Sequence, residues 1–299
     1  MKKSFIYLLL LALCWAPSFL FIKIAVTEVP PLTVAAIRVG IGAILLFLFL
    51  KSKGVSFPRE KKVWWHFTIM GITSCVIPFS LICYGEQYIS SGMAAITNGS
   101  TPIFTALLAH LFLSDERFTF NKLAGICLGL IGITCIFLPP LFSGGENNMI
   151  GIFSVLLASA SYGVAIVYTR KNIPKLTSLV VPSAQLITGT IIQFAVALAI
   201  EQPFSGAYDF PSWQTIGSII SLGTIGTALA YILYFKVLEL SDATYLSMAT
   251  CITPSFAVVL GAIFLHEALT PFSYLGFLLI LSGVGVLTFK PLEQKTAEA

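Results

Sequence analysis

Residues 102–113, PIFTALLAHLFL, return as residues 254–265, PSFAVVLGAIFL, with Pro102 on Pro254, Phe104 on Phe256 and Phe112-Leu113 on Phe264-Leu265. A one-residue gap then places Glu116 on Glu267, Thr119 on Thr270, Gly125 on Gly276 and Gly132 on Gly283. Earlier residues agree more weakly: Leu32 and Gly42 fall on Leu179 and Gly189, Arg38 on Gln185 and Trp15 on Ser161. The chain reads as two similar halves, residues 1–145 and 146–299.

Both copies of this stretch are apolar, and so is most of the chain. Of 299 residues, 57% are hydrophobic and 10% charged, against roughly 45–50% and about 25% in soluble domains. That balance excludes a water-soluble globule and a disordered chain alike. A helix crosses a bilayer in about 20 residues, and ten runs qualify. They are Phe5–Val26, Leu32–Leu50, Phe67–Tyr84, Met93–Leu113, Leu123–Leu138, Ile150–Tyr168, Leu179–Ile200, Ile216–Phe235, Tyr245–Leu265 and Tyr274–Phe289. The first run is longer than a signal-peptide core and lacks a small-x-small cleavage site after it, so it is expected to stay as a helix. The connections are too short to hold a separate domain.

Five spans per half is an odd number, so the second half enters the membrane from the opposite side. Duplication therefore predicts an inverted repeat, a design that opens a midplane site to either face in turn. Charge sets the orientation. With the amino terminus inside, 15 of the 17 Lys and Arg residues fall on the cytoplasmic side. Examples are Lys51, Lys53, Lys61, Lys62, Arg117, Arg170, Lys175, Lys236, Lys290 and Lys295. Lys23 and Arg38 are the two left, inside the first two spans near their outer ends. Both termini are expected in the cytoplasm.

Enzyme chemistry finds no seat. The six cysteines lie in apolar spans without metal-ligand spacing, and there is no Walker loop, dinucleotide fingerprint, nucleophile elbow or HExxH helix. No catalytic residue, metal or cofactor is expected. Nucleic acid is not an expected partner either; the lipid bilayer and a small-molecule substrate are.

Polar groups inside hydrocarbon are costly and mark pathways, and here they are few. Arg38 lies about 9 Å into its helix from Leu32 at 1.5 Å per residue. It has two readings, a fork for a carboxylate or phosphate of the cargo, or a scaffold tie to backbone carbonyls. Its counterpart Gln185 joins it as a candidate. Lys23, a turn from its helix end, is expected to snorkel outward. Pro102 and Pro254 each free a carbonyl at mid-membrane depth and predict kinks that serve as hinges. Beside them Asn98, Thr101 and Thr250 can either re-satisfy the backbone or bind cargo, and Asn98 offers both donors and acceptors. Trp15 and Phe19 share one helix face, as do Tyr162 and Ile166. Tyr84, Tyr231 and Tyr234 add polar tips to an amphipathic lining. No Asp or Glu lies near the middle of a span, which gives proton coupling weak support.

On these residues the chain resembles the drug/metabolite transporter superfamily, and within it the EamA-type ten-helix proteins. The matching features are Leu13-Cys-Trp15-Ala-Pro-Ser-Phe19, Arg38, Pro102, Pro254 and the paired Phe-Leu, Glu, Thr, Gly stretches that end at Gly132 and Gly283. The resemblance implies an all-α membrane protein of ten helices in two inverted five-helix repeats around a central cavity. It also implies export of small metabolites, amino acids among them, across the cell inner membrane. A channel and a membrane-embedded lipid-modifying enzyme are the competing classes.

Overall fold

The computed structural model describes residues 2–113, 120–143, 146–173, 180–203, 209–241 and 243–288, and within them every regular element is helical. Glu116, Arg117, Thr119, Lys175, Leu179, Phe289, Lys290 and Lys295 lie outside the described residues, as does the border between the halves at Gly145. In the first half, α1 is Lys2–Ala25, α2 Pro31–Ser52 and α3 Lys61–Gly85; α4 has two segments, Ser91–Asn98 and Thr101–Phe112; α5 is Phe120–Ser143. In the second, α6 is Glu146–Asn172, α7 Val180–Ile200 and α8 Trp213–Leu240; α9 has two segments, Ala243–Ser247 and Ala249–Phe264; α10 is Pro271–Thr288. Seven spans are individually long and apolar enough to cross a bilayer, and α5 and α10 contain shorter apolar helices, Leu123–Ile136 and Pro271–Val286. The protein is a multi-pass membrane protein, and its described residues form ten helical stretches.

Helix ends extend past the apolar runs because the backbone goes on bonding where the hydrocarbon stops. α3 begins at Lys61 rather than Phe67, and α8 runs from Trp213 to Leu240 rather than from Ile216 to Phe235. The helix ends alternate between two faces. One carries Lys51, Lys53, Lys61, Lys62, Arg170, Lys171 and Lys236, and is called the basic end below; the other carries Glu28, Glu86, Glu201 and Glu267, and is called the acidic end.

The repeat is visible in the packing. A methyl group placed on Gly132 would stand 2.7 Å from the carbonyl oxygen of Gly276, and one on Gly283 would stand 2.5 Å from that of Gly125. These are the residues that pair by sequence, Gly125 with Gly276 and Gly132 with Gly283, now crossed between α5 and α10 in antiparallel register. Only a hydrogen side chain permits such backbone approach, the usual small-residue device of membrane helix pairs. At α4 and α9 the crossing is repeated: Cys251 Sγ donates to the Gly99 carbonyl oxygen at 3.1 Å.

Two spans carry a feature that the apolar pattern did not reveal. Residues Ile72–Val76 of α3 and Thr224–Leu229 of α8 are π-helical turns at corresponding places in the halves. Such a turn disturbs the i to i−4 ladder and leaves backbone carbonyls in need of other donors. They are found across the molecule: Ser161 Oγ donates to Thr73 O at 2.7 Å, the Tyr231 hydroxyl to Ser74 O at 2.9 Å, and Arg38 Nη2 to Gly226 O at 3.1 Å.

The proline kinks take two different forms. α4 breaks at Gly99-Ser100, and Pro102 lies in the first turn of the segment that follows, where its missing N–H costs least. In α9 the break is at Met248, and Pro254 sits inside the continuing helix.

Candidate functional site

A cavity lies between the halves. α1 contributes Trp15, Ser18, Phe19 and Ile22, spaced to share one helix face. From the rest of the first half come Arg38, Ile82, Asn98 and Thr101. The second half supplies Tyr162 and Ile166 from α6, Tyr234 from α8, and Leu246, Ser247, Thr250 and Thr253 from α9. Its volume is about 40 Å³, room for a few waters at roughly 10–15 Å³ each.

The wall is apolar with separated polar tips, several of them unused. Ser18 Oγ is buried without a hydrogen-bond partner. Among the described residues, the hydroxyls of Tyr162 and Tyr234 and the amide nitrogen of Asn98 have no protein partner, while Asn98 Oδ1 accepts from Ser159 Oγ at 3.4 Å. Trp15 leans on Tyr234 at 6.3 Å between ring centroids, and Tyr231 stacks behind Tyr234 at 5.8 Å. The threonines are engaged with backbone. Thr101 Oγ1 donates to Asn98 O at 2.8 Å, the carbonyl that the absent Pro102 N–H leaves free. Thr250 and Thr253 donate to Ser247 O and Ala249 O.

Arg38 is 3% exposed and held on three sides. Its Nε donates to Thr227 Oγ1 at 2.9 Å, its Nη2 reaches the π-turn carbonyl, and its guanidinium carbon lies 3.9 Å from the Phe79 ring centroid. This is the scaffold tie, made to the opposite half. Nη1 carries no hydrogen bond within the described protein, so one face of the fork is still available to the cavity.

Three sequence candidates are not brought to this cavity. Tyr84 is 39% exposed at the acidic end and pairs with Tyr88, ring to ring at 5.2 Å. Gln185 is buried against α3, where Nε2 meets Ser74 Oγ at 3.3 Å. Tyr231 turns its hydroxyl away to Ser74 O and Cys75 Sγ. Conversely, Ser18, Ile22, Ile82, Leu246 and Ser247 line the cavity and were not singled out. Ser18 and Ile22 lie three and seven residues after Trp15, a helical-face signal present in the sequence.

The acidic end is closed by side chains that cap helices of the other half. Glu201, just past α7, accepts from Leu32 N, Thr33 N and Thr33 Oγ1 at the start of α2, each at 2.7 Å. Glu267, just past α9, accepts from Ser91 N, Ser91 Oγ and Gly92 N at the start of α4. Glu28 accepts from Ser212 N before α8, and that N–H holds its carboxyl below the usual range, with Thr215 helping. A carboxylate over a helix N-terminus meets both free N–H groups and the positive end of the dipole. Within the first half, Lys23 Nζ donates to the carbonyls of Glu86 and Ile89 beyond α3.

The pattern of the EamA-like transporter family matches residues 2–138 and again residues 149–289. The chain belongs to the EamA-like transporter family. It is thus a membrane transporter of the drug/metabolite transporter superfamily, and the two matches fall one on each half. This EamA-family chain is 26% identical over 291 residues to the uncharacterized transporter YoaV of Bacillus subtilis, covering 97% of this chain and 98% of that protein. It is 25% identical to Protein PagO of Salmonella typhimurium, covering 93% and 90%. A solved crystal structure shares the fold with TM-score 0.71 at 18% identity, covering 96% of this chain and 97% of the other.

Proposed function

We propose that this EamA-family transporter exports small metabolites, amino acids or related compounds, by alternating access of the central cavity. The observation that carries the reading is the lining itself. Both halves contribute to one space whose aromatic wall is set with unused hydroxyl and amide groups and one guanidinium face. Such a wall suits a small amphipathic solute, with Trp15, Phe19, Tyr162 and Tyr234 against its apolar part. Arg38 would meet an anionic group, and Asn98, Thr101 and Thr250 its other polar atoms. Gln185, Tyr231 and Tyr84 act indirectly or not at all, since the cavity is built without them. Pro102 and Pro254 are the hinges of the reading, next to the breaks in α4 and α9.

The loop charges support placing the basic end in the cytoplasm, with both termini there and the acidic end outside the cell inner membrane. In that frame the structure corresponds to a state closed on the outside. The halves are taken to meet at residues 145 and 146.

The test is transport in purified vesicles. Vesicles that contain the protein should move members of a metabolite panel faster than empty ones, and preloading with an unlabelled substrate should accelerate uptake of the labelled one. Transport without trans-stimulation would point to a channel, and transport of no amino acid would remove the substrate class.

A further inference from the structure

Glu86, one residue beyond α3, is wholly buried, and neither carboxyl oxygen has a hydrogen-bond donor. Its charged surroundings can be named element by element. From α1, Lys23 spends two of its N–H groups on the Glu86 and Ile89 carbonyl oxygens at 2.5 and 2.8 Å, not on the carboxyl. From α2, Arg38 is tied to Thr227 and Gly226. The turn after α9 brings Glu267, a second negative charge, already bonded to Ser91 and Gly92. α6 packs against Gly85 with the uncharged Gly151, Ser154 and Val155.

The backbone adds a further penalty, because Glu86 follows a helix whose carbonyl end repels an anion. A carboxylate buried without donors is far costlier than a neutral acid. Burial pushes the Glu86 carboxyl well above the usual carboxylate range; Lys23 opposes that and Glu267 reinforces it. Water is nevertheless near. An outer depression of about 430 Å³ is lined by Gln87 and Glu201. On the inner side, Ile82, one turn earlier, and Ile22, next to Lys23, line the central cavity. Glu86 thus stands inside the plug that separates outer water from the cavity.

We propose that Glu86 is a proton-binding site, occupied when the outer end is closed and emptied when it opens, so that each closure takes up one proton from the outer water. The proposal rests on the alternating-access reading above. When the end opens, hydration returns the carboxyl to its ordinary range and it ionises. The closed-state affinity for the proton is the higher one. Closure is therefore fully favoured below the ordinary carboxylate range, and that bias is lost as pH rises through the closed-state value. Between the two values, one proton shifts the equilibrium by up to about tenfold per pH unit.

The experiment uses the full chain with its six native cysteines replaced and two reporter cysteines compared. One is Ile22→Cys, in the cavity wall below the plug; the other is Phe210→Cys, 84% exposed at the acidic end. An impermeant thiol reagent is applied from outside between pH 5 and 8. The ratio of the two rates cancels the ionisation of the thiols themselves. With Glu86 present the ratio should rise with pH, by up to about tenfold per unit. Glu86→Gln and Glu86→Met, both neutral as the closed state requires, should keep it low and flat. A ratio that stays constant with Glu86 present overturns the proposal, and so does a Gln or Met variant that follows the same rising curve. If neither variant inserts, the profile of the Glu86 protein decides alone. Labelling needs no cargo, so the two readings fail separately. A flat profile with intact counterflow removes the proton site only, and a rising profile without counterflow removes the carrier only.

Discussion

Arg38 and Thr227 join the two halves at a π-helical turn, Nε to Oγ1 at 2.9 Å, and Gln185 makes the corresponding bond to Ser74 in the other π-helical turn at 3.3 Å. The sequence-equivalent residues of α2 and α7 thus each reach across to a disturbed turn, α2 to α8 and α7 to α3. Glycines let the helices approach there: a methyl on Gly42 would fall 2.6 Å from Thr227 Cγ2, and one on Gly71 would fall 2.7 Å from Gln185 O. The arrangement differs in charge and in reach, since an amide in one half stands where a guanidinium stands in the other and only the guanidinium also bonds a π-turn carbonyl. The central cavity is lined by the guanidinium and not by the amide.

That asymmetry separates the two roles of Arg38. Arg38→Gln should lower the melting temperature in detergent, because the Gly226 carbonyl loses a charged donor, a contribution of roughly 1.5–3 kcal/mol. Arg38→Lys keeps one such bond and should recover part of the loss. If Arg38 also holds cargo, half-saturation should worsen in both variants, since Lys lacks the planar fork. Unchanged half-saturation in the folded fraction would leave Arg38 as a tie between halves and nothing more.

The glycine crossing of α5 and α10 gives a sharper structural test. Gly132→Ala and Gly283→Ala each drive a methyl into a facing carbonyl and should cost about 1–3 kcal/mol as overpacking. Gly285→Ala, with nothing within 4 Å of the added methyl, should be neutral or mildly stabilising. Detergent melting temperatures on the three variants check the order.

The sequence made the number of spans legible, because hydrocarbon demands long apolar runs and loops concentrate charge. It made the α5 and α10 crossing legible too, since Gly125, Gly132, Gly276 and Gly283 repeat in register. The π-helical turns were not. An extra residue in a helical turn leaves no trace in the run of mostly apolar residues that marks a span, so Tyr231 and Gln185 read as lining groups when the disturbed turn of α3 claims them. Tyr84 failed for another reason: a polar tip does not say which face it lies on, and near the acidic end this ring is exposed and pairs with Tyr88. Glu86 did not stand out in the sequence, because burial at a helix end depends on what the rest of the fold places over it.

The carboxylate caps predict how easily the acidic end opens. Glu267→Gln removes the charge from the bonds to Ser91 and Gly92 and should weaken the closed state by about 1–2 kcal/mol, a shift of roughly 5–30-fold. Gly261→Ala should have the same effect with the charge of Glu267 intact, since its methyl would fall 2.5 Å from Glu267 Oε2 and push the carboxylate off its cap. Both should raise the labelling of Ile22→Cys from outside. No change in either variant would mean that the cap is too weak to hold the end.

Orientation is checked with single cysteines in a background without native ones. Phe210→Cys at the acidic end should react with an impermeant reagent in intact cells, and Ser52→Cys at the basic end should react only after permeabilisation. The reverse pattern would invert the topology and turn the proposed exporter around.

The last prediction concerns Pro102 and Pro254, which share a place in the repeat but not a local structure. Pro102 opens the second segment of α4 after the break at Gly99-Ser100, and Thr101 Oγ1 already covers the carbonyl it frees. Replacing it by Ala restores an N–H near that carbonyl and allows α4 to run through the break. Pro254 lies inside a continuing helix of α9, with its ring edge 3.5 Å from the methyl that Gly99 would carry. There Ala removes both a helix-interior penalty of about 3 kcal/mol and a contact between the halves. Pro254→Ala should therefore leave thermal stability equal or higher while slowing transport, because a stiffer α9 favours one access state. Pro102→Ala should slow transport with a smaller change in stability. Melting temperature and counterflow rate measured on the same preparations decide it: if both variants exchange substrate at the native rate, the bends in α4 and α9 are fixed features of the fold and the motion lies elsewhere.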